Sequence, residues 1–251
     1  MSISSDASNG SRPQGIWTLT PYLIPPLAAS TAMFPVFYGF IGKSARQLGK
    51  PIPDIKFVEV VKMSGKAAPT IGMIVGTQTI VQRMLENFLS NPVNNRTYPL
   101  SGFTSMFASS IVVGTVSAPL LAIFNGQTMG KKFTESLQAL TLKQAGAILA
   151  RETSFLFSLR ISDPVSITMR QKLGDSQTVE YCSTFISGMI GSLIGHPADT
   201  ALTLWQNGMK LMHPRQLMRG SLMRGTASGG FFVGYKTTKE FLESKKCAKS
   251  S

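Results

Sequence analysis

The sequence predicts an all-α membrane protein with six transmembrane helices in three tandem two-helix repeats around a central cavity. Residues 14–42 and residues 97–130 contain no charged side chain, and each run is longer than the roughly 20 residues that cross a bilayer core. Three prolines, Pro35, Pro119 and Pro197, each lie near the end of a long apolar segment, 84 and 78 residues apart. Because similarity at a fixed period describes a whole fold, these prolines predict three copies of one structural unit.

Each unit is predicted to contain an apolar helix, a basic polar stretch and a second helix that is less apolar. The polar segments 91–96 and 174–175 are the candidate boundaries between units. The predicted divisions are a flexible N-terminal tail at residues 1–13 and three repeats at residues 14–96, 97–178 and 179–251. The predicted helices are residues 16–42, 66–88, 100–124, 146 onwards with an interruption at Asp163-Pro164, 180–205 and 222–242.

The composition favours a protein in contact with a lipid surface. Charged residues make up only 15% of the chain, yet the net charge is +13, because 25 Lys and Arg face 12 Asp and Glu. Since the basic residues lie between apolar segments, we expect basic loops against anionic lipid rather than a face that binds nucleic acid. Two cysteines and two histidines are too few for a disulfide scaffold or a structural zinc site, and no cofactor is predicted.

The second helix of two units carries charges that a lipid-facing helix would not. Arg151, Glu152 and Arg224 lie in segments that are otherwise largely apolar. Charged residues at membrane depth are tolerated where they face a water-filled interior. These residues therefore predict that the second helices turn a polar face toward a central cavity.

Three repeats of two helices, with a proline near the end of each first helix, resemble the mitochondrial carrier family. The segment Pro197-Ala-Asp199-Thr-Ala-Leu202 matches the first half of that family's signature, Pro-x-[Asp/Glu]-x-x-[Lys/Arg]. The second helices are also similar to carrier helices, and the likeness extends over nearly the whole chain from about residue 16. The matching second-helix segments begin at Lys66, Gly146 and Arg219.

The resemblance implies a solute site near the middle of the membrane, with three contact points on the second helices. On this sequence the contact points are Lys66, the pair Gly146-Ala147, and Arg224. Two cations, Lys66 and Arg224, beside the small flat surface of Gly146-Ala147 suit an anionic solute with a planar part, such as a nucleotide. We expect Lys66, Arg151 and Arg224 to line the cavity. The alternative is that Lys66 and Arg224 are helix-end residues that extend to the membrane interface.

The resemblance also implies two gates, one at each side of the membrane. In carriers, the acid and the base of each signature form ion pairs on the matrix side, but only Asp199 is retained here, so no complete pair is predicted. On the cytosolic side Tyr235 is followed by Lys236, where carriers have an acid. The assigned gate and signature residues are Pro35, Pro119, Pro197, Asp199 and Tyr235. The acid positions read Phe37, Leu121 and Asp199, and the base positions read Phe40, Phe124 and Leu202.

Three functions are open at this point. The leading one is translocation of a small anionic solute by alternating access. The second is a transport-inactive bundle that serves as a mitochondrial membrane adaptor, an assembly subunit or an effector of foreign origin, since the signature ion pairs are absent. The third is a membrane-bound serine hydrolase, although no Gly-x-Ser-x-Gly segment occurs.

His196 and Asp199, about one helical turn apart, are candidates for the histidine and acid of such a hydrolase, and a triad is recognised by geometry rather than by sequence. The simpler interpretation is that His196 lies at a helix bend beside Pro197. In that case Asp199 accepts a hydrogen bond from a hydroxyl group or from Trp205. No feature of the sequence beyond these two residues supports a catalytic site, and we expect no enzyme activity.

The resemblance places the protein in the mitochondrial inner membrane, in preference to the outer membrane. Its expected partners are the small anionic solute and membrane lipid, including an anionic lipid such as cardiolipin. No nucleic-acid partner is expected, and a protein partner is expected only if the bundle does not transport.

Overall fold

A computed structural model describes residues 20–89, 102–138, 140–174, 176–211 and 213–250, and the predicted tail at residues 1–13 lies outside them. Within these ranges the chain is helical, with no strand, so the predicted all-α fold is confirmed. The α-helices are α1 (Thr20–Gln47), α2 (Phe57–Leu89), α3 (Gly102–Thr128), α4 (Phe133–Gln138), α5 (Leu142–Leu173), α6 (Gln177–Ile194), α7 (His196–Gln206) and α8 (Ser221–Ser250), with a 3-10 helix at Pro214–Met218.

The long helices form a closed ring in which each packs against its neighbours in sequence. Helix α1 packs on α2, α2 on α3, α3 on α5, α5 on α6, and α6 on α8, which returns to α1. Helices α1 and α8 run antiparallel, because Gly39 lies against Ala227 while Gly234 lies against Ala32. Helix α7 continues the direction of the chain after α6 and packs mainly on α5.

Two helices in the described part of the chain are long and apolar enough to cross a membrane: Tyr22–Gln47 of α1 and Ala108–Thr128 of α3. This finding supports the prediction of a membrane protein. The distribution of side chains agrees with it, since charged groups are buried while large apolar residues such as Leu27, Ile194 and Leu222 are more than half exposed.

Prolines lie inside these helices without ending them. Helix α1 contains Pro25, Pro26 and Pro35 and still continues to Gln47, so the polar stretch predicted after residue 42 is in fact the last turn of this helix. Helix α5 likewise continues through Asp163-Pro164, and the predicted interruption there is wrong. A proline removes one backbone hydrogen bond, and in a tightly packed bundle neighbouring groups compensate for that loss.

The sequence predicted one continuous helix at residues 180–205, and the structure has two helices there. Helix α6 ends at Ile194, and α7 begins at His196 after Gly195. A Cβ atom at Gly195 would lie 3.0 Å from the carbonyl oxygen of Arg151, so α5 approaches the break closely and a larger residue would require a small shift of the backbone. Pro197 stands in the first turn of α7, where its missing N–H leaves no hydrogen bond unmade.

Candidate functional site

Asp199 is the centre of a buried ion-pair cluster that joins four helices. Its Oδ2 atom lies 2.9 Å from Nζ of Lys43 in α1 and 3.1 Å from Nη1 of Arg224 in α8, and its Oδ1 atom lies 3.0 Å from Nη1 of Arg151 in α5. The side chain of Gln47 donates a fourth hydrogen bond, at 2.8 Å. We call these five residues the Asp199 cluster; all are at least 95% buried.

Hydrogen bonds from uncharged side chains extend this cluster to α3. Asn125 accepts a hydrogen bond from Nζ of Lys43 at 3.3 Å and donates to Oε1 of Gln206 at 2.7 Å. Thr203 donates to Oε1 of Gln47 at 2.8 Å. These bonds connect α1, α3 and α7 at the end of the ring where the first helices finish, and they close the bundle there.

A central cavity of about 80 Å³ lies directly beside the Asp199 cluster. A water molecule needs roughly 10–15 Å³ of such space, so the cavity accommodates several waters, whereas drug-sized ligands occupy pockets of about 300–1,000 Å³. Five of the six long helices, α1, α2, α3, α5 and α8, line it together with the short helix α7. The lining residues are Met33, Phe40, Lys43, Ile71, Ile74, Val75, Gln78, Leu121, Phe124, Asn125, Arg151, Glu152, Phe155, Asp199, Arg224, Ser228 and Phe231.

The charges that line the cavity do not cancel. Three cations, Lys43, Arg151 and Arg224, face two carboxylates, Glu152 and Asp199, which leaves one net positive charge. Glu152 is occupied by Arg151, whose Nε and Nη2 atoms both lie 2.9 Å from its Oε1 atom. A buried charge without a counter-ion is costly in a medium of low polarity, so the cavity has a physical preference for an anion.

Aromatic side chains form much of the remaining wall. Phe40 and Phe124 meet edge to face with their ring centroids 6.1 Å apart. The resemblance assigned these two residues to the base positions of the first two signatures, and the contact between them is aromatic rather than ionic. Phe155 and Phe231 face the cavity from α5 and α8 with their centroids 6.4 Å apart.

The structure brings together some of the residues proposed from the sequence and separates others. Arg151 and Arg224 line the cavity, and Ala147 is buried in the hydrophobic core without lining it. Lys66 and Gly146 are exposed, and an added side-chain carbon at Gly146 would contact nothing within 4 Å. The reason is the helical period: on α5 the inward face follows residues 148, 151, 152 and 155, and position 146 falls on the opposite face.

The structure also shows where the residues that were assigned to the gates lie. Asp199 has three ion-pair partners, which corrects the expectation that a hydroxyl or Trp205 would satisfy it. Tyr235 stacks on Phe231 at a centroid distance of 6.2 Å. Pro35 and Pro119 lie inside α1 and α3, and the residues two positions after them, Phe37 and Leu121, are buried like Asp199.

Sequence analysis did not identify Lys43, Gln47, Asn125 and Gln78, which belong to the Asp199 cluster or line the cavity. Lys43 follows directly after the predicted end of the first helix at residue 42, although it lies on the inward face of α1, three residues after Phe40. The available signal was that a lysine and a glutamine four residues apart lie on one face of a helix. Recognising them required knowing that α1 extends beyond residue 42.

A second group of ion pairs lies at the opposite end of the ring. Glu180 at the start of α6 pairs with Arg170 of α5 at 3.1 Å and with Lys236 of α8 at 2.5 Å. Lys236, which follows Tyr235, thus pairs with an acid from another helix. The side chain of Glu180 is 21% exposed, so these pairs are more exposed to solvent than the Asp199 cluster. They therefore hold the helices together less firmly.

The geometry does not assemble a hydrolase site within the described residues. Nε2 of His196 lies 2.9 Å from the carbonyl oxygen of Arg219 and 3.3 Å from Oγ1 of Thr200. The carboxylate of Asp199 is occupied by cations and Gln47, as described above. His196 is fully buried, and these contacts are those of a residue that joins α7 to the start of α8.

The chain was compared with protein-family models, with curated protein sequences and with solved structures, and none of the three comparisons gives a match.

Proposed function

We propose that this chain is a carrier-like bundle of three two-helix repeats that spans a membrane six times and translocates a small anion by alternating access. The observation that carries the proposal is the central cavity, which lies on the axis of a closed six-helix ring and holds one uncompensated positive charge. Following the family resemblance, we assign it to the mitochondrial inner membrane.

Ion pairs at both ends of the bundle support the proposal of alternating access. Such a mechanism needs two states of similar energy, each stabilised by contacts that the other state breaks. The Asp199 cluster closes one end with buried charges from α1, α5, α7 and α8. At the other end, Glu180 bridges α5, α6 and α8 through partly exposed pairs that open at lower cost.

Anion exchange in liposomes tests this proposal. Purified protein is reconstituted with labelled phosphate, butyrate, succinate or AMP inside, and exchange against the same anion outside is measured. We expect exchange of at least one anion, and we expect Arg224→Gln to reduce the rate at least tenfold, because it removes a buried cation from the cavity wall. The matched control is Arg215→Gln, since Arg215 is exposed on the 3-10 helix. Equal rates for both variants, or no exchange of any anion, would contradict the proposal.

A transport-inactive membrane adaptor is the second candidate, favoured by the contact of Phe40 with Phe124 across the cavity. If these rings plug the bundle permanently, the double substitution Phe40→Ala and Phe124→Ala creates anion leakage where the wild-type chain shows none. If the rings belong to one state of a working carrier, the wild-type chain exchanges anions by itself.

A further inference from the structure

Among the described residues, the side chain of Gln78 presents a hydrogen-bond donor to the central cavity that no protein group satisfies. Nε2 of Gln78 has no partner within the described part of the chain, although the side chain is 92% buried and lines the cavity from α2. An unsatisfied buried donor costs free energy, and each such group in a native structure asks for an explanation. A ligand oxygen in the cavity would satisfy it.

We propose that the ligand of this cavity is a small monocarboxylate with a short apolar chain, and that Gln78 is a specificity-determining residue. This inference rests on the proposed function. A single carboxylate matches the net charge of one, whereas the several charges of a nucleotide, a citrate or a phosphorylated sugar would exceed it. The cations of the wall bind the carboxylate, and Gln78 donates to one of the ligand's oxygens.

The size and the polarity of the cavity support the same class of ligand. A volume of about 80 Å³ leaves room for a handful of non-hydrogen atoms and not for a base with its ribose. Most of the wall beyond the charged end is apolar and includes four phenylalanines. A short alkyl chain gains contact with these side chains, while phosphate would leave them unmatched and would itself lose water without compensation. The apolar lining residues are Met33, Phe40, Ile71, Ile74, Val75, Leu121, Phe124, Phe155 and Phe231.

Arg224 is the cation best placed to receive the carboxylate. Its Nε atom donates to Oγ of Ser192 at 3.1 Å and its Nη1 atom donates to the carbonyl oxygen of Gly195 at 3.3 Å as well as facing Asp199. These bonds fix the plane of the guanidinium group, and we assign its Nη2 atom to the ligand. Ser228 lies one helical turn later on the same face of α8 and also lines the cavity.

Competition in the reconstituted exchange assay tests the inference. We expect butyrate to be exchanged, and we expect succinate, phosphate and AMP to be exchanged at least tenfold more slowly. Gln78→Leu keeps the size of the side chain and removes the donor, so the half-saturating butyrate concentration should rise about threefold to tenfold, the range for one hydrogen bond. The matched control is Gln127→Leu, because Gln127 also has an unsatisfied amide atom but does not line the cavity.

A second variant tests the charge count directly. Glu152→Gln removes one of the two carboxylates and raises the net charge of the cavity from one to two. We expect its preference to shift from butyrate toward succinate by at least tenfold, an effect that a merely structural role of Glu152 would not produce. Thermal stabilisation of the detergent-solubilised wild-type protein by butyrate, with no such effect of phosphate, gives a readout independent of reconstitution.

The outcomes separate this inference from the proposed function. Exchange of phosphate or AMP without exchange of butyrate would overturn the monocarboxylate assignment and leave anion transport standing. Butyrate exchange that responds equally to Gln78→Leu and Gln127→Leu would overturn the role of Gln78. An absence of exchange and of stabilisation with every anion would overturn both proposals together.

Discussion

In the described part of the chain, a single carboxylate contacts three of the buried cations. Asp199 accepts ion pairs from Lys43, Arg151 and Arg224, and Gln47 completes its shell. In a medium of low polarity these cations tolerate one another only because the carboxylate lies between them. The residue therefore has a structural role in addition to any part that it plays in a gate.

Substitution of Asp199 by Asn should be among the most damaging single changes in the chain. It keeps the shape of the side chain but leaves three buried cations without their shared partner. We expect a loss of about 3–5 kcal/mol in the free energy of unfolding, the usual cost of removing one partner from a buried ion pair. Thermal unfolding in detergent measures it.

The control is Asp54→Asn, since Asp54 is an exposed carboxylate between α1 and α2. Its effect should stay within about 0.5 kcal/mol, as for ordinary surface substitutions. Equal melting temperatures for the two variants would show that the Asp199 cluster does not form.

At the scale of the helices, the close approach of α6 to α8 depends on glycines that face aromatic rings. Gly188 of α6 lies beneath the ring of Phe232 in α8, and Gly229 of α8 lies against Phe185 of α6. The two contacts are reciprocal, and they let the backbones of α6 and α8 approach as small residues do in membrane helices. The aromatic rings fill the space that the missing side chains leave.

Gly229→Ala should therefore destabilise the bundle although alanine is the better helix former. The added methyl carbon would lie 2.8 Å from the carbonyl oxygen of Phe185, and overpacking of this kind costs about 1–3 kcal/mol. Gly65→Ala is the matched control, because nothing lies within 4 Å of the new carbon. It should stabilise α2 by about 0.5–1 kcal/mol. Shifts of opposite sign in the melting temperature are expected, and shifts of the same sign would contradict the observed packing of α6 on α8.

At the scale of the whole molecule, the antiparallel ring fixes which segments share an end. Helices α1 and α6 both run antiparallel to α8, so the start of α6 lies at the same end as the start of α1. Cys182, which is exposed in the first turns of α6, and Lys50, which follows α1, therefore lie at opposite ends. If the bundle spans a membrane, these two residues face different compartments.

Labelling with a membrane-impermeant maleimide in isolated mitochondria from expressing cells tests this arrangement. One variant carries Cys247→Ser, so that Cys182 is the single thiol; the other carries Lys50→Cys together with Cys182→Ser and Cys247→Ser. With the outer membrane opened, we expect one variant to be labelled and the other to be protected until detergent is added. Labelling of both without detergent would contradict a bundle that spans the inner membrane.

The sequence alone determined the helical class of this protein and several of the groups that the cavity uses. The charge-free run at 97–130 and the long apolar stretch before Gly42 predicted the two helices that are apolar enough to cross a membrane. Arg151 and Arg224 were identified because charges within apolar helices need a polar environment. These inferences depend only on local composition and on the helical period, and both can be read directly from the sequence.

Only the tertiary structure decided how the charges are shared. The sequence showed that Asp199 lacks the partner expected within its own repeat, and it gave no sign that Lys43, 156 residues away, takes that place. Nor did it show that Lys66 and Gly146 lie outside the cavity while Gln78 lies within it. The physical reason is that ion pairs and cavity walls join different helices, so they depend on the rotation and position of each helix in the ring, which local periodicity does not specify.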